Sequence, residues 1–308
     1  MSTASFPTIA LAAGECTLEV APHVGSAWTS LRWRGRPVLR DTPASAIAEA
    51  NVRLTGCYPL VPYSNRIAQA RLRHGGREVA LARNFGAHPH AIHGVGWQRA
   101  WRVADAAADR AMLTYAHRVD TDADRAAWPW PFVATHAMRL HDDGGATTLT
   151  ATLTLESRAD EAFPFGLGWH PFFARTPATR LAFDASHVWR NDETCIPIER
   201  IAVPDAWRFN AGRTTDVVLD HVFTGWTGTA VIEQPDAGHR VTLRADRALG
   251  RLVVYVPDGR DTLAVEPVTH DTDAFNRHAA GAADTGTRVL APGAAFSCTM
   301  RLTVAPLA

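Results

Sequence analysis

The sequence predicts an all-β fold: a large antiparallel β-sandwich with few short helices. Three observations predict it. Apolar residues recur with period two, turn signals fall at hairpin spacing from end to end, and helix-period stretches are scarce. The clearest alternation runs over residues 148–156, where Thr148, Thr150, Thr152 and Thr154 interleave with Leu149, Ala151, Leu153 and Leu155. Residues 297–304 repeat it, with Cys298, Met300, Leu302 and Val304 on one side and Ser297, Thr299, Arg301 and Thr303 on the other. Shorter runs of the same kind place strands at 17–21, 28–33, 78–81, 112–117, 133–140, 241–244, 252–256 and 262–265. Turns are expected at Arg34-Gly35-Arg36-Pro37, His74-Gly75-Gly76, Asp142-Asp143-Gly144-Gly145 and Pro257-Asp258-Gly259, where glycine admits a left-handed backbone. A turn or two of helix is expected near 43–50 and 271–279, and the alanine-rich 104–108 and 279–283 read as surface loops.

Many short strands with no change of composition argue for one domain over residues 1–308, although the length alone would allow two. Basic and acidic residues number 31 each, so no global field exists to gather nucleic acid or an anionic membrane. No lysine is present; every fixed positive charge is an arginine. Cys16, Cys57, Cys195 and Cys298 form no Cys-x-x-Cys pair, which suits free thiols in a reducing compartment. Residues 1–11 lack a basic segment followed by an apolar run of signal-peptide length, and no stretch approaches the ~20 apolar residues of a membrane span. A cytoplasmic location is the expectation.

Five stretches could carry chemistry. In residues 163–173, His170 stands among phenylalanines and a tryptophan, between glycines that permit close approach and prolines that fix direction. Such a histidine sits either at the edge of an apolar concave site or in an aromatic core. Asn65 and Arg66 supply amide and guanidinium donors, suited to ligand oxygens or to clamping a neighbouring loop. His88, His90 and His93 raise the question of a metal, but no glutamate follows at short range, and only His93 precedes a Gly-Val-Gly-Trp turn. No metal site is therefore expected. Asp220 either accepts sugar hydroxyls or caps a turn in a loop. Glu266 ends an apolar run before Pro267, which holds it extended, and partial desolvation would raise its pKa toward that of a general base; the alternative is a strand-end carboxylate paired with an arginine. Nucleophile elbows, phosphate-cradling glycine loops and dinucleotide fingerprints are absent from the sequence. The inventory is one for proton transfer on a polar, ring-shaped ligand.

Taken together these stretches resemble the aldose 1-epimerase, or galactose mutarotase, family. Asn65-Arg66-Ile67, His93-Gly94, Gly168-Trp-His-Pro-Phe-Phe173, Asp220 and Glu266-Pro267 are similar to family motifs in the same order, down to Pro292-Gly293 before the last strand. The resemblance implies the family's β-sandwich, a galactose mutarotase-like supersandwich. It also implies a cofactor-free exchange of α and β anomers of a free aldose. Glu266 would take the proton of the anomeric hydroxyl and a protonated His170 would donate to the ring oxygen, with His93 hydrogen-bonding nearby. Asn65, Arg66 and Asp220 would hold other hydroxyls, with Phe172 or Tyr255 as a stacking face. The implied partner is a monosaccharide, with the protein a monomer or homodimer. Phe172 replaces the tyrosine common at that position, and the chain is shorter between Tyr255 and Glu266 than in many galactose-specific members, so the sugar stays open. Alternatives are a hexose-phosphate mutarotase, prompted by the many arginines, a non-catalytic sugar-binding protein on the same scaffold, and a metal-dependent enzyme built on the histidine cluster.

Overall fold

The structure, a computed structural model, describes residues 8–307. Residues 1–7, most of the N-terminal stretch in which no signal peptide is expected, lie outside the described residues. Two large antiparallel sheets carry the fold. The nine-stranded sheet runs in the order Arg102–Ala106, Arg110–His117, Phe132–Asp142, Thr147–Ser157, Ala295–Pro306, His239–Ala245, Thr229–Gln234, Arg180–Phe183 and Arg213–Thr214. The eight-stranded sheet runs Pro197–Ala202, His187–Asn191, Leu219–Thr224, Arg251–Val256, Thr262–Val268, Gly168–Trp169 and Pro59–Leu60, with Phe172–Ala174 also paired to Thr262–Val268. Each of the four turn signals closes a hairpin, including Gly75 and Gly76, both at positive φ, between Arg71–His74 and Arg77–Ala80.

Alternation sets the register of the nine-stranded sheet. Along Thr147–Ser157, Leu149, Ala151, Leu153 and Leu155 are buried while the intervening threonines are half-buried on the outer face. There the hydroxyls of Thr148, Thr152 and Thr154 meet Thr303, Thr299 and Ser297 at 2.9, 3.1 and 2.7 Å, a cross-strand ladder that a one-residue slip would bury. Leu153, Met300 and Leu302 of this sheet share one core with Leu263, Val254 and Val265 of the other.

The strand Thr262–Val268 breaks the alternation and is buried at every position. One face looks into the shared core. The other carries Ala264 and Val268 into a second apolar layer with Tyr58, Ile92 and Trp97, which come from the segment between residues 58 and 97. That layer frames the candidate site.

Two expectations are corrected. Residues 104–106 of the supposed loop 104–108 belong to the strand Arg102–Ala106, exposed at every residue; it pairs on one side only and buries neither face, so no alternation marks it. Asp220 does not cap a turn, because it lies within the strand Leu219–Thr224. The helices expected near 43–50 and 271–279 are Ala44–Ala48 and Ala274–Ala279. A third, Asp122–Ala127, was not anticipated. It has no buried residue and starts from a capping box, in which Thr121 Oγ1 accepts from the Asp124 N–H and the Asp124 carboxylate accepts from the Thr121 N–H, both at 3.1 Å. Among the described residues no helix is long and apolar enough to cross a membrane, and all four cysteines are free.

Candidate active site

A cavity of about 520 Å³ opens on the second apolar layer, lined by Asn65, Arg66, His93, His170, Phe172, Asp220, Tyr255 and Glu266 among others. The eight residues to which the family resemblance assigns a part in the site therefore converge on one hollow, of the size of small-ligand pockets in general, whereas His88 and His90 are not among those lining it. Strand register explains the convergence. Asp220 is opposite Tyr255, Tyr255 opposite Ala264, and Ala264 opposite Phe172, a row on one face of the sheet. Two residues along, Val222, Val253 and Glu266 form the next row. Period two places both rows on the cavity side.

Glu266 is thus delivered by a strand, with Val222 and Val253 in its row. Burial pushes its carboxyl well above the ordinary carboxylate range, Asp220 adds to the shift, and Arg66 opposes it. His170 follows the short strand Gly168–Trp169. Its Nε2 lies 3.3 Å from Glu266 Oε1, and both side chains are almost fully buried. Burial holds the imidazole well below its usual pKa, with His93 and Arg40 acting in the same sense. Desolvation thus drives both groups toward their neutral forms, a carboxylic acid beside an uncharged imidazole. That pair contains the same single proton as the carboxylate–imidazolium pair expected from the motifs, shifted from one atom to the other. His170 Nδ1 is buried without a hydrogen-bond partner.

His93 has a fixed tautomer. Its Nδ1 accepts from the Asn65 main-chain N–H at 3.0 Å, while the main-chain N–H of His93 donates to the Asn65 carbonyl at 2.9 Å. The hydrogen must therefore sit on Nε2. Burial lowers its pKa to about 3, so the ring stays neutral and offers an N–H. His93 and Asn65 both hold positive φ, 60° and 57°. Gly94 follows at φ 69°, and a Cβ there would fall 2.4 Å from the Val61 carbonyl oxygen. Arg66 donates to Asn65 Oδ1 at 3.0 Å and to Asp220 Oδ2 at 3.3 Å, which ties the 65–66 segment to the sheet. Phe172 stacks on His170 with centroids 4.3 Å apart.

The histidine cluster does not converge on a cation. His90 accepts from the Gln69 N–H at 2.9 Å and its other nitrogen meets Thr194 Oγ1 at 2.9 Å, while His93 turns toward Asn65. Among the described residues no group of three or more His, Cys, Asp or Glu side chains could hold a metal ion.

Several lining residues were not singled out from the sequence. Tyr58 packs between His170, at 5.0 Å, and Trp97, at 5.5 Å; the only signal was an aromatic just before the strand Pro59–Leu60. Arg40, Arg53 and Arg260 also line the cavity, and nothing in their local sequence distinguishes them from the other arginines.

Gly168 sets the position of His170. A Cβ there would stand 2.7 Å from Val268 Cγ1 and 2.8 Å from the Pro267 carbonyl oxygen, so only glycine lets the two strands close. Gly168→Ala is expected to lower stability by about 1–3 kcal/mol, because the added methyl forces the two strands apart and with them the imidazole from the carboxyl. Denaturant melts check it; a wild-type midpoint would refute it.

A family model for aldose 1-epimerase matches residues 7–303. The Escherichia coli (strain K12) protein YphB, itself described as uncharacterized, is 30% identical over 282 residues, which cover 88% of this chain and 90% of that one. A crystal structure from Escherichia coli K12, named only provisionally as an aldose 1-epimerase, superposes with a TM-score of 0.86 at 28% identity, covering 98% of this chain and 99% of the other. A galactose mutarotase-like protein from Clostridium acetobutylicum, at 18% identity, shares the fold with a TM-score of 0.83 over 100% of this chain and 97% of its own. With motif order, sheet topology and end-to-end matches in agreement, the chain belongs to the aldose 1-epimerase family.

Proposed function

We propose that the protein interconverts the α and β anomers of an aldose by acid–base opening and closing of the sugar ring. The observation that carries this reading is the 3.3 Å approach of His170 Nε2 to Glu266 Oε1 inside a sugar-sized cavity. The two oxygens that must exchange protons, the anomeric hydroxyl and the ring oxygen, are bonded to the same carbon. A base and an acid in van der Waals contact suit them.

In the competent form of the pair the carboxylate takes the O1 proton while His170 gives one to the ring oxygen. The ring C–O bond breaks and the electrons left on O1 form the aldehyde. Rotation about the bond between C1 and C2 presents the other face, and the reverse transfers close the ring and restore the pair. No electrons are lost or gained. The neutral His93 N–H supports the ring oxygen without competing for the proton. The Arg66–Asp220 pair offers a donor and an acceptor to hydroxyls further round the ring. Each positioned acid or base contributes ~10²–10⁴ in rate, enough for a reaction that water itself supports slowly.

Pure anomers followed by one-dimensional NMR test the proposal. The wild type is expected to shorten equilibration and His170→Asn to abolish the effect. If neutral and acidic aldoses alike equilibrate at their spontaneous rates, the proposal is wrong.

A further inference from the structure

The charges around the cavity do not balance. Its lining holds four guanidinium groups, Arg40, Arg53, Arg66 and Arg260, against two carboxyls, Asp220 and Glu266. Arg66 is paired with Asp220 at 3.3 Å, and Glu266 is buried against His170, 3.3 Å from its Nε2. Three arginines remain, and none forms an ion pair among the described residues, although many of the arginines elsewhere on the surface do. Such a concentration of one sign in a cavity costs repulsion unless a counter-charge arrives.

Arg40 shows the point most clearly. Its guanidinium lies 3.6 Å from the centroid of Phe172, whose ring also stacks on His170 at 4.3 Å. Both cannot occupy one face, so Arg40 sits one aromatic ring beyond the catalytic imidazole. Its Nε donates to the Thr55 carbonyl at 2.8 Å and one terminal nitrogen to the Arg53 carbonyl, which fixes the plane and leaves the other terminal nitrogen without a hydrogen-bond partner among the described residues. Arg53 is held over Phe85, 4.3 Å from its centroid. Burial, with a smaller push from Arg260, lowers the Arg40 pKa to about 10 against the opposing pull of Tyr58 and of Asp261, which is exposed. Planar, oriented, weakly hydrated guanidinium groups bind phosphate and carboxylate oxygens better than hydroxyls.

We infer that the sugar this site takes carries an anionic group, a phosphate ester or a carboxylate, on the part of the molecule remote from the anomeric carbon, received by Arg40, Arg53 and Arg260. This rests on the anomer exchange proposed above and departs from the neutral aldose that the sequence motifs imply.

The test compares catalysed anomer exchange of D-glucose 6-phosphate and D-glucuronate with that of D-glucose and D-galactose, each relative to its own uncatalysed rate. The anionic sugars are expected to show kcat/KM at least about tenfold above the neutral ones, with added salt eroding the difference. The better of the two anions tells phosphate from carboxylate. In the double variant Arg53→Gln/Arg260→Gln the anionic-to-neutral ratio is expected to fall about tenfold. Equal or better turnover of neutral sugars overturns the inference, as does a ratio unchanged in the double variant. If no sugar is accelerated, anomer exchange itself fails, and calorimetry with glucose 6-phosphate and glucuronate decides the rest. Binding of either anion that the double variant loses upholds the anion site, and absence of binding refutes it.

Discussion

Glu266→Gln is expected to lower kcat by about 10²–10⁴ while the protein becomes no less stable at neutral and alkaline pH. The amide keeps the shape of the carboxyl, so the Val222–Val253 row and the contact with His170 are preserved. It cannot accept the O1 proton. The sign of the stability change follows from burial. A carboxyl whose folded pKa is raised contributes stability at low pH that is lost as pH rises through that value. Glutamine removes this loss, so activity should collapse while the melting temperature at pH 8 holds or rises. Turnover within threefold of wild type would remove Glu266 from the chemistry. Loss of activity together with loss of the fold would make it a structural residue instead.

Acidification is expected to unfold the protein well above the usual carboxylate range. His93 and His136 are buried with pKa values of about 3, and His270 with about 4. His136 sits between Ser26 Oγ, at 2.9 Å, and the indole N–H of Trp169, at 3.1 Å, with no room for a second proton on the acceptor nitrogen. In the unfolded chain each imidazole titrates near 6.5, so below that pH the unfolded state binds more protons and stability falls with pH until the folded values are reached. At pH 5 each of the three costs about 2 kcal/mol, a large share of the ~5–15 kcal/mol of a typical domain. Glu266, Asp271 and Asp273, with raised values, act in the opposite direction. They are outnumbered, because His88, His90, His117, His170, His221 and His239 are also shifted down. Denaturant midpoints should drop steadily between pH 7 and pH 5. A flat profile would mean that the histidines accept protons without unfolding.

Much of the architecture was legible because one-sided burial leaves a trace. The threonine–leucine alternation at 148–156 reports a strand with one wet face, and the four glycine-bearing turns report hairpins. Where burial is two-sided or absent the trace vanishes. Thr262–Val268 is buried on both faces and apolar except for Thr262 and Glu266, so only its first four residues read as a strand. Residues 104–106, in the exposed edge strand Arg102–Ala106, read as loop, and Asp122–Ala127, with no buried residue, left no periodicity to read. At the site, residues flanked by glycine, proline or an apolar run stood out: His170, His93 and Glu266. Arg40 and Arg260 did not, since their position depends on which loops the tertiary fold brings to the cavity mouth. In a chain whose basic residues are all arginine, the residue type alone carries no signal.

The imidazole of residue 93 is oriented by the main-chain amide of residue 65 and owes nothing to the Asn65 amide group. Exchanging that side chain should therefore leave the Nε2–H where it is. The positive φ at this position limits the practical replacements to glycine, aspartate and histidine. Under the anomer exchange proposed above, position 65 is accordingly a place where evolution or a small directed library can retune which hydroxyl pattern is preferred without turning the proton-bearing nitrogen away from the ring.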